Sequence, residues 1–255
     1  MLLLFDIGNT NIVVGVHNEQ KIIETWRILT DTRKTADEYT MLIKNFLEDI
    51  NLSFAHITGV IVSSVVPEMQ KIIELICDQR IKITPLFVGP GIKTGINIRV
   101  DEPKHAGADL IVGAVAVFHK YQGPAIIVDF GTATTITVVT ADGDFIGGAI
   151  VPGIELASDA LFDRAAKLPK FSLDAPPSII GRSTQHAVQS GLIFGYASLV
   201  DGMIERMRLE LNAPNCQVIT TGGQATIIAK HSNHITIVDS LLLLDGLKIL
   251  YDLNK

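Results

Sequence analysis

Asp6 and Asp129 stand 123 positions apart (6 to 129) in matching settings, Asp6-Ile7-Gly8-Asn9-Thr10-Asn11 and Asp129-Phe130-Gly131-Thr132-Ala133-Thr134, in a chain of 255 residues. In each copy an apolar run leads into Asp-x-Gly and a β-branched run follows, Ile12-Val13-Val14 in the first and Ile136-Thr137-Val138-Val139 in the second. That order reads as strand, tight turn, strand, because β-branched residues favour pleated backbone and glycine permits the turn. Such turns suit phosphate. Gly8 and Gly131 let backbone approach phosphoryl oxygens, and Asn9, Thr10, Thr132 and Thr134 supply neutral donors. An aspartate at each turn can hold Mg²⁺, directly or through water. Phosphoryl transfer asks for positioning and charge neutralisation of this kind more than for covalent help. Neither glycine is followed by Gly-Lys-Ser/Thr, and strands rather than helices come next, which argues against P-loop and Rossmann readings.

Further segments complete a nucleotide and acceptor site. Gln217-Val218-Ile219-Thr220-Thr221-Gly222-Gly223-Gln224 passes from a strand through a Gly-Gly turn into a helix, and such a turn lets a base or ribose lie against the backbone, so Gly222 and Gly223 are assigned to the adenosine end. Gly107-Ala108-Asp109 opens an apolar helix. Aspartate there is a preferred N-cap, and the same position can hold the proton acceptor for a substrate hydroxyl, with the helix N-terminus expected to lower its pKa. Ser63-Ser64-Val65-Val66-Pro67 ends a buried strand and leads into a helix, where α/β sheets place ligand contacts. Gly147-Gly148-Ala149-Ile150-Val151-Pro152-Gly153 marks a turn or a close backbone approach, and His105 lies beside the Asp109 segment without a ligand role.

The elements that must carry these residues follow from periodicity. Amphipathic or apolar helices are expected at Thr35 to Asp49, Glu68 to Arg80, Ala108 to Tyr121, Thr184 to Leu211 and Gln224 to Lys230. Two α/β halves of related design account for the repeat, divided where Gln122-Gly123-Pro124 stops a long helix, so that residues 1–121 form one domain and 122–255 the other. Leu173 to Ser178, with Pro176-Pro177, reads as a surface loop in the second half.

Bulk properties narrow the class. Hydrophobic residues make up 47% and charged residues 19%, so much of the chain must be buried and disorder is not expected. A net charge of −6 provides no basic footprint for nucleic acid or an anionic membrane. Met1 to Phe5 lacks the layout of a signal peptide and Leu110 to Phe118 falls short of the about 20 residues a bilayer needs, so the expected location is the cytoplasm. Cys77 and Cys216 lie far apart without a CxxC spacing and read as reduced core thiols.

Taken together, these motifs resemble the type III pantothenate kinases over nearly the whole chain. The resemblance is carried by Asp6 to Asn11, Ser63 to Pro67, Gly89-Pro90-Gly91-Ile92-Lys93-Thr94-Gly95, Gly107-Ala108-Asp109, Asp129 to Thr135, Gly148 to Gly153 and Thr221-Gly222-Gly223. It implies an α/β fold of two ribonuclease-H-like, actin-like ATPase domains, each a mixed sheet flanked by helices, in a homodimer that transfers the γ-phosphate of ATP to pantothenate at the start of coenzyme A synthesis. It also implies roles: Asp6, Ile7, Gly8, Asn9, Thr10, Asn11, Ile12 and Val13 as the first phosphate loop, Asp109 as proton acceptor, Asp129 at a monovalent cation site (K⁺ or NH₄⁺), and Thr132 on ATP. Gly107, Ala108, Asp109, Leu110 and Thr184 would touch pantothenate, Thr184 across the dimer interface, and Mg²⁺ would accompany ATP. Two positions depart from the family pattern, Leu110 in place of an arginine and Val100 in place of a tyrosine. Leucine cannot offer a carboxylate the fork of donors that arginine does. Two alternatives therefore stay open: a kinase for another hydroxylated acceptor, or a nucleotide-binding regulatory relative, against which Asp109 speaks.

Overall fold

Leu3, Leu4 and Phe5, ahead of Asp6, are almost wholly excluded from solvent, as a strand covered on both faces must be. The computed structural model describes residues 1–165 and 170–255. The chain runs through β1 (Leu2–Ile7), β2 (Asn11–His17), β3 (Ile22–Leu29), α1 (Ala36–Asp49), β4 (Gly59–Ser64), α2 (Pro67–Ile76), β5 (Leu86–Phe87), β6 (Asn97–Ile98) and α3 (Ala108–Tyr121). It continues through β7 (Ala125–Phe130), β8 (Ala133–Val139), β9 (Asp144–Pro152), α4 (Ile154–Arg164), α5 (Thr184–Glu210), β10 (Gln217–Gly222), α6 (Ala225–Ala229), β11 (Ile237–Val238) and α7 (Leu242–Asn254). Two compact units result, one of Met1–Gly95, Glu102–Ala116 and Leu243–Lys255, the other of Ile96–Asp101 and Val117–Leu242.

In the first unit the sheet order is β3-β2-β1-β4-β5. β1 pairs antiparallel with β2 and parallel with β4, which sets Asp6 opposite Val13 on one side and Ser63 on the other. Strand alternation sorts the faces. Leu3, Phe5, Ile7, Val60 and Val62 pack with Tyr39, Ile43, Met69 and Ile73 of α1 and α2. The opposite face, which carries Asp6 and Ser63, is covered by α7: a β-carbon at Gly15 would fall 2.9 Å from Leu244, and one at Gly59 would fall on Tyr251. Gly246 brings α7 against Val112 of α3. α1 opens with a capping box between Thr35 and Glu38, and α2 opens with Pro67 at its first turn.

The second unit repeats the plan with sheet order β11-β10-β7-β8-β9-β6. Here β7 is the central strand, antiparallel to β8 and parallel to β10. Ile126, Val128, Phe130, Ile136 and Val138 pack against Ile193, Ala197, Val200 and Ile204 of α5. Among the described residues α5 alone is long and apolar enough to cross a bilayer by length and composition, and its buried apolar residues are those that cover this sheet. Both hairpins thus form as the repeat implies, with one difference. Ile7 pairs with Ile12 and leaves Gly8-Asn9-Thr10-Asn11 between the paired positions, whereas Phe130 pairs with Thr134 and leaves only Gly131-Thr132-Ala133.

α3 spans the expected residues, and Gln122 ends it in a left-handed conformation at φ 58°. The expected helix from Glu68 is α2 plus a wide turn over Cys77–Ile81. Gly147 to Pro152 corrects the expectation of a turn: these residues belong to β9, with Gly147 at φ +100° beside a register shift. The close approach is real, since a β-carbon at Gly148 would lie 2.0 Å from the Ile136 carbonyl oxygen. α4 and α7 carry no clear local signal, α4 because Gly153 provides no side-chain cap and α7 because the run Leu241-Leu242-Leu243-Leu244 by itself shows no helical period. Cys77 and Cys216 are buried and unpaired with each other, and burial pushes the Cys77 thiol up to about 12.

Candidate active site

In the first unit the Gly8 amide donates across the turn to the Asn11 carbonyl at 2.9 Å, so the glycine closes the loop with its own N–H. Ile7 and Ile12 are core residues and can offer a ligand only their backbone, while Asn9 and Thr10 project into solvent. A residue absent from the motif holds this turn in place. Thr30 Oγ1 donates to the Gly8 carbonyl at 2.7 Å, and the Thr30 amide donates to the Thr10 carbonyl at 2.9 Å. No pattern around Thr30 announces that role, because the clamp depends on the pairing of β3 with β2.

Asp109 lies inside the first turn of α3, one residue past its start. Its Oδ1 accepts a hydrogen bond from the Leu110 amide at 2.9 Å. Burial holds the Asp109 carboxyl above the ordinary carboxylate range, while hydrogen bonds from the Leu110 and Asp109 amides pull it down. This corrects the expectation that the helix N-terminus would lower it: removal of the charge from water outweighs the helix end. A carboxylate raised in this way is a stronger base for a substrate hydroxyl. Gly107 makes the arrangement possible, since a β-carbon there would sit 2.4 Å from Asp109 Oδ1.

In the second unit Asp129 pairs in register with Thr135 on one side and Thr221 on the other. Gly131 donates to the Ala133 carbonyl at 3.1 Å, the counterpart of the Gly8 bond. Two further glycines press against this turn. The Gly153 amide donates to the Thr132 carbonyl at 3.0 Å, and a β-carbon at Gly153 would meet the Thr132 and Gly131 carbonyl oxygens at 2.3 and 2.4 Å. Gly222, at φ +95°, would place one 2.5 Å from both Asp129 Oδ1 and the Phe130 carbonyl oxygen. Tyr196 of α5 fixes the approach to Gly153 by donating to the Pro152 carbonyl at 2.8 Å. Beyond Gly223, Gln224 Nε2 donates to Glu155 Oε1 at 2.8 Å. Gly131 and Thr132 are exposed. Thr134 is not: it is fully buried on the face of Phe130, its hydroxyl without a partner, so it faces the core rather than the Asp129 side.

No group of three or more His, Cys, Asp or Glu side chains suited to a metal exists among the described residues. The donor set therefore fits ions that also draw ligands from a nucleotide or from backbone. Asp6 offers one carboxylate of the kind Mg²⁺ takes alongside phosphates, and Asp129 Oδ1 and the Phe130 carbonyl both crowd the position that a β-carbon of Gly222 would take. The residues expected on the acceptor side are less uniform. Val100 Cγ1 lies 3.5 Å from where a β-carbon of Gly147 would stand. Arg99 Nε is 3.7 Å from Asp144 Oδ1, a carboxylate that also accepts from Asn97 Nδ2 at 2.7 Å, so the cation nearest Val100 in sequence faces its own sheet edge. His105 pairs with Glu102 at 2.6 Å, and both are exposed. Thr184 is exposed at the start of α5, behind the Ser183 cap.

Two units that each present an Asp-x-Gly hairpin on a mixed sheet flanked by helices define the actin-like, ribonuclease-H-like fold class. Component A of the (R)-2-hydroxyglutaryl-CoA dehydratase of Acidaminococcus fermentans shares this fold, with a TM-score of 0.58 at 13% identity over 98% of this chain and 96% of that one. Within the class, residues 2–206 match the family model of type III pantothenate kinase, and the chain belongs to that family. It is 48% identical to the type III pantothenate kinase of Exiguobacterium sibiricum over 100% of both chains. It is 49% identical to that of Bacillus cytotoxicus over 100% of this chain and 97% of the relative.

Proposed function

We propose that this protein phosphorylates the terminal hydroxyl of pantothenate with ATP and Mg²⁺, giving 4′-phosphopantothenate and ADP for coenzyme A synthesis. The observation that carries the reading is the pair of Asp-x-Gly hairpins on duplicated sheets, together with the half-buried Asp109 of the first unit, whose carboxyl pKa is raised by burial. Asp6 to Val13, Gly131 and Thr132 hold the phosphates, Thr134 contributes through its backbone, and Gly222 and Gly223 accept the adenosine. Asp6 takes part in holding Mg²⁺, which neutralises phosphate charge when bound. Gly107, Ala108, Asp109, Leu110 and Thr184 contact the acceptor. Asp109 accepts the hydroxyl proton as the oxygen bonds to the γ-phosphorus and the bond to ADP breaks. Asp129, with neighbouring carbonyls, holds K⁺ or NH₄⁺. The sequence division at 121 and 122 is read as the boundary between the two repeats, with α7 returning to the first.

The partner is a second copy of this chain, and the location is the cytoplasm. α5 leaves Gly191 and Gly195 open, with nothing within 4 Å of where their β-carbons would be, and Ile179 and Ile180 before it are 68% and 76% exposed. Such a face accepts close approach of another helix. A solution mass of 27.6 kDa by light scattering would exclude the dimer.

Purified protein with ATP, Mg²⁺ and K⁺ should release ADP only when pantothenate is present. Release with another polyol or hydroxy acid but not with pantothenate would favour a different acceptor, the reading that Leu110 and Val100 support. Nucleotide binding without turnover on any acceptor would favour a regulatory protein, which family membership does not.

A further inference from the structure

Ser63 and Ser64 are chain neighbours with opposite fates. Ser64 Oγ donates to the Val66 carbonyl at 2.9 Å and accepts from the Val66 amide at 3.1 Å, so it holds the turn between β4 and α2. Ser63 is 1% exposed, and its Oγ is buried without any hydrogen-bond partner. A buried hydroxyl left in that state is unfavourable, and in native proteins such groups commonly face a ligand, an ion or an ordered water.

The sheet shows where Ser63 belongs. β4 runs parallel to β1 with Ser63 beside Asp6, so both side chains stand on one face, about 4.8 Å apart in strand spacing. That face is not the α1 and α2 core, where Val62 and Phe5 point. Among the described residues the other unpartnered buried side-chain atoms lie elsewhere. Thr134 Oγ1 belongs to the core face of the second sheet, and His17 Nδ1 sits at the far end of β2 from the Asp-x-Gly turn.

We propose that Ser63 is a positioning residue for the metal-bound nucleotide, acting through Asp6. Its hydroxyl donates to a water shared with the Asp6 carboxylate, or to that carboxylate once a bound ion draws it into place. In either case it orients the oxygen ligand that Asp6 offers to Mg²⁺. No group among the described residues bonds to the hydroxyl, so it is left for an oxygen that arrives with the ion. The inference rests on the proposed phosphate-loop role of Asp6.

The test measures ADP binding by calorimetry with and without Mg²⁺, and the thermal midpoint of ligand-free protein, for wild type, Ser63→Ala, Ser63→Cys and Asp6→Asn. Cysteine keeps the volume and loses the strong donor. The expected result is that both Ser63 variants weaken ADP binding about tenfold with Mg²⁺, as for a lost bond to a charged group, and leave Mg²⁺-free binding unchanged. Their ligand-free midpoints should match or exceed wild type, because nothing in the ligand-free protein bonds to the hydroxyl. Wild-type affinity in both variants, equal weakening with and without Mg²⁺, or a lowered ligand-free midpoint in both would overturn the role. If those results appear while Asp6→Asn loses Mg²⁺-dependent binding, the phosphate-loop reading survives and only Ser63 is reassigned. If wild type binds no ADP, or Asp6→Asn binds like wild type, that reading fails and Ser63 falls with it.

Discussion

Gly222 approaches Asp129 so closely that a β-carbon on it would stand 2.5 Å from the carboxylate Oδ1. The same atom would stand 2.5 Å from the Phe130 carbonyl, and the backbone there is at φ +95°. Gly222→Ala therefore meets a conformational penalty of about 1–3 kcal/mol and pushes on the residue proposed to hold the monovalent cation. The expected outcome is a lower thermal midpoint together with a higher K⁺ concentration for half-maximal activity, measured in a K⁺ titration.

Asp109→Asn should lower turnover by about 10²- to 10⁴-fold, the range for a lost general base, with little change in ATP affinity. The pH dependence of stability supplies a second readout. Burial raises the folded pKa of Asp109 above its unfolded value, so the native state holds the proton more tightly. Wild-type stability from this group is then greatest below the unfolded pKa, falls as pH rises through the folded pKa, and stays reduced above it. Asn carries no such penalty. Melting curves should show Asp109→Asn more stable than wild type at neutral pH, with the advantage vanishing below about pH 4.

Thr30→Val removes the side-chain bond to the Gly8 carbonyl and keeps the amide bond to Thr10. One neutral hydrogen bond is worth about 1 kcal/mol, so steady-state kinetics should give a several-fold higher KM for ATP and a nearly unchanged kcat. Loss of kcat alone would place Thr30 outside the phosphate loop's support.

Leu110→Arg restores donors suited to a carboxylate at the residue after Asp109. A lower KM for pantothenate at constant KM for ATP is expected. A variant no better than wild type with pantothenate would show that another group meets the acceptor's carboxylate.

The hairpins, the helix from Ala108 to Tyr121 and the α/β class were legible because their signals are local: β-branched runs around Asp-x-Gly, and a helix stopped by Gln122-Gly123-Pro124. The support of the site was not legible in the same way. Thr30 reaches Gly8 from 22 residues downstream. Gly153 reads from the sequence as part of a turn or a close backbone approach, and its contact with Thr132 appears only once β9 pairs with β8. Thr134 reads from the sequence as a donor of the second turn, yet that turn is one residue shorter and pairs Thr134 with Phe130, which turns it into the core.

By itself the sequence determined the duplicated phosphate-binding design, because residue type and spacing decide which stretches can turn tightly and offer carboxylate, amide and hydroxyl groups to a nucleotide. Only the tertiary structure decided the electrostatic state of Asp109 and the contrast between Ser63 and Ser64. The reason is physical: desolvation and unmet hydrogen bonds depend on what packs around a group from distant parts of the chain, and no local pattern records that.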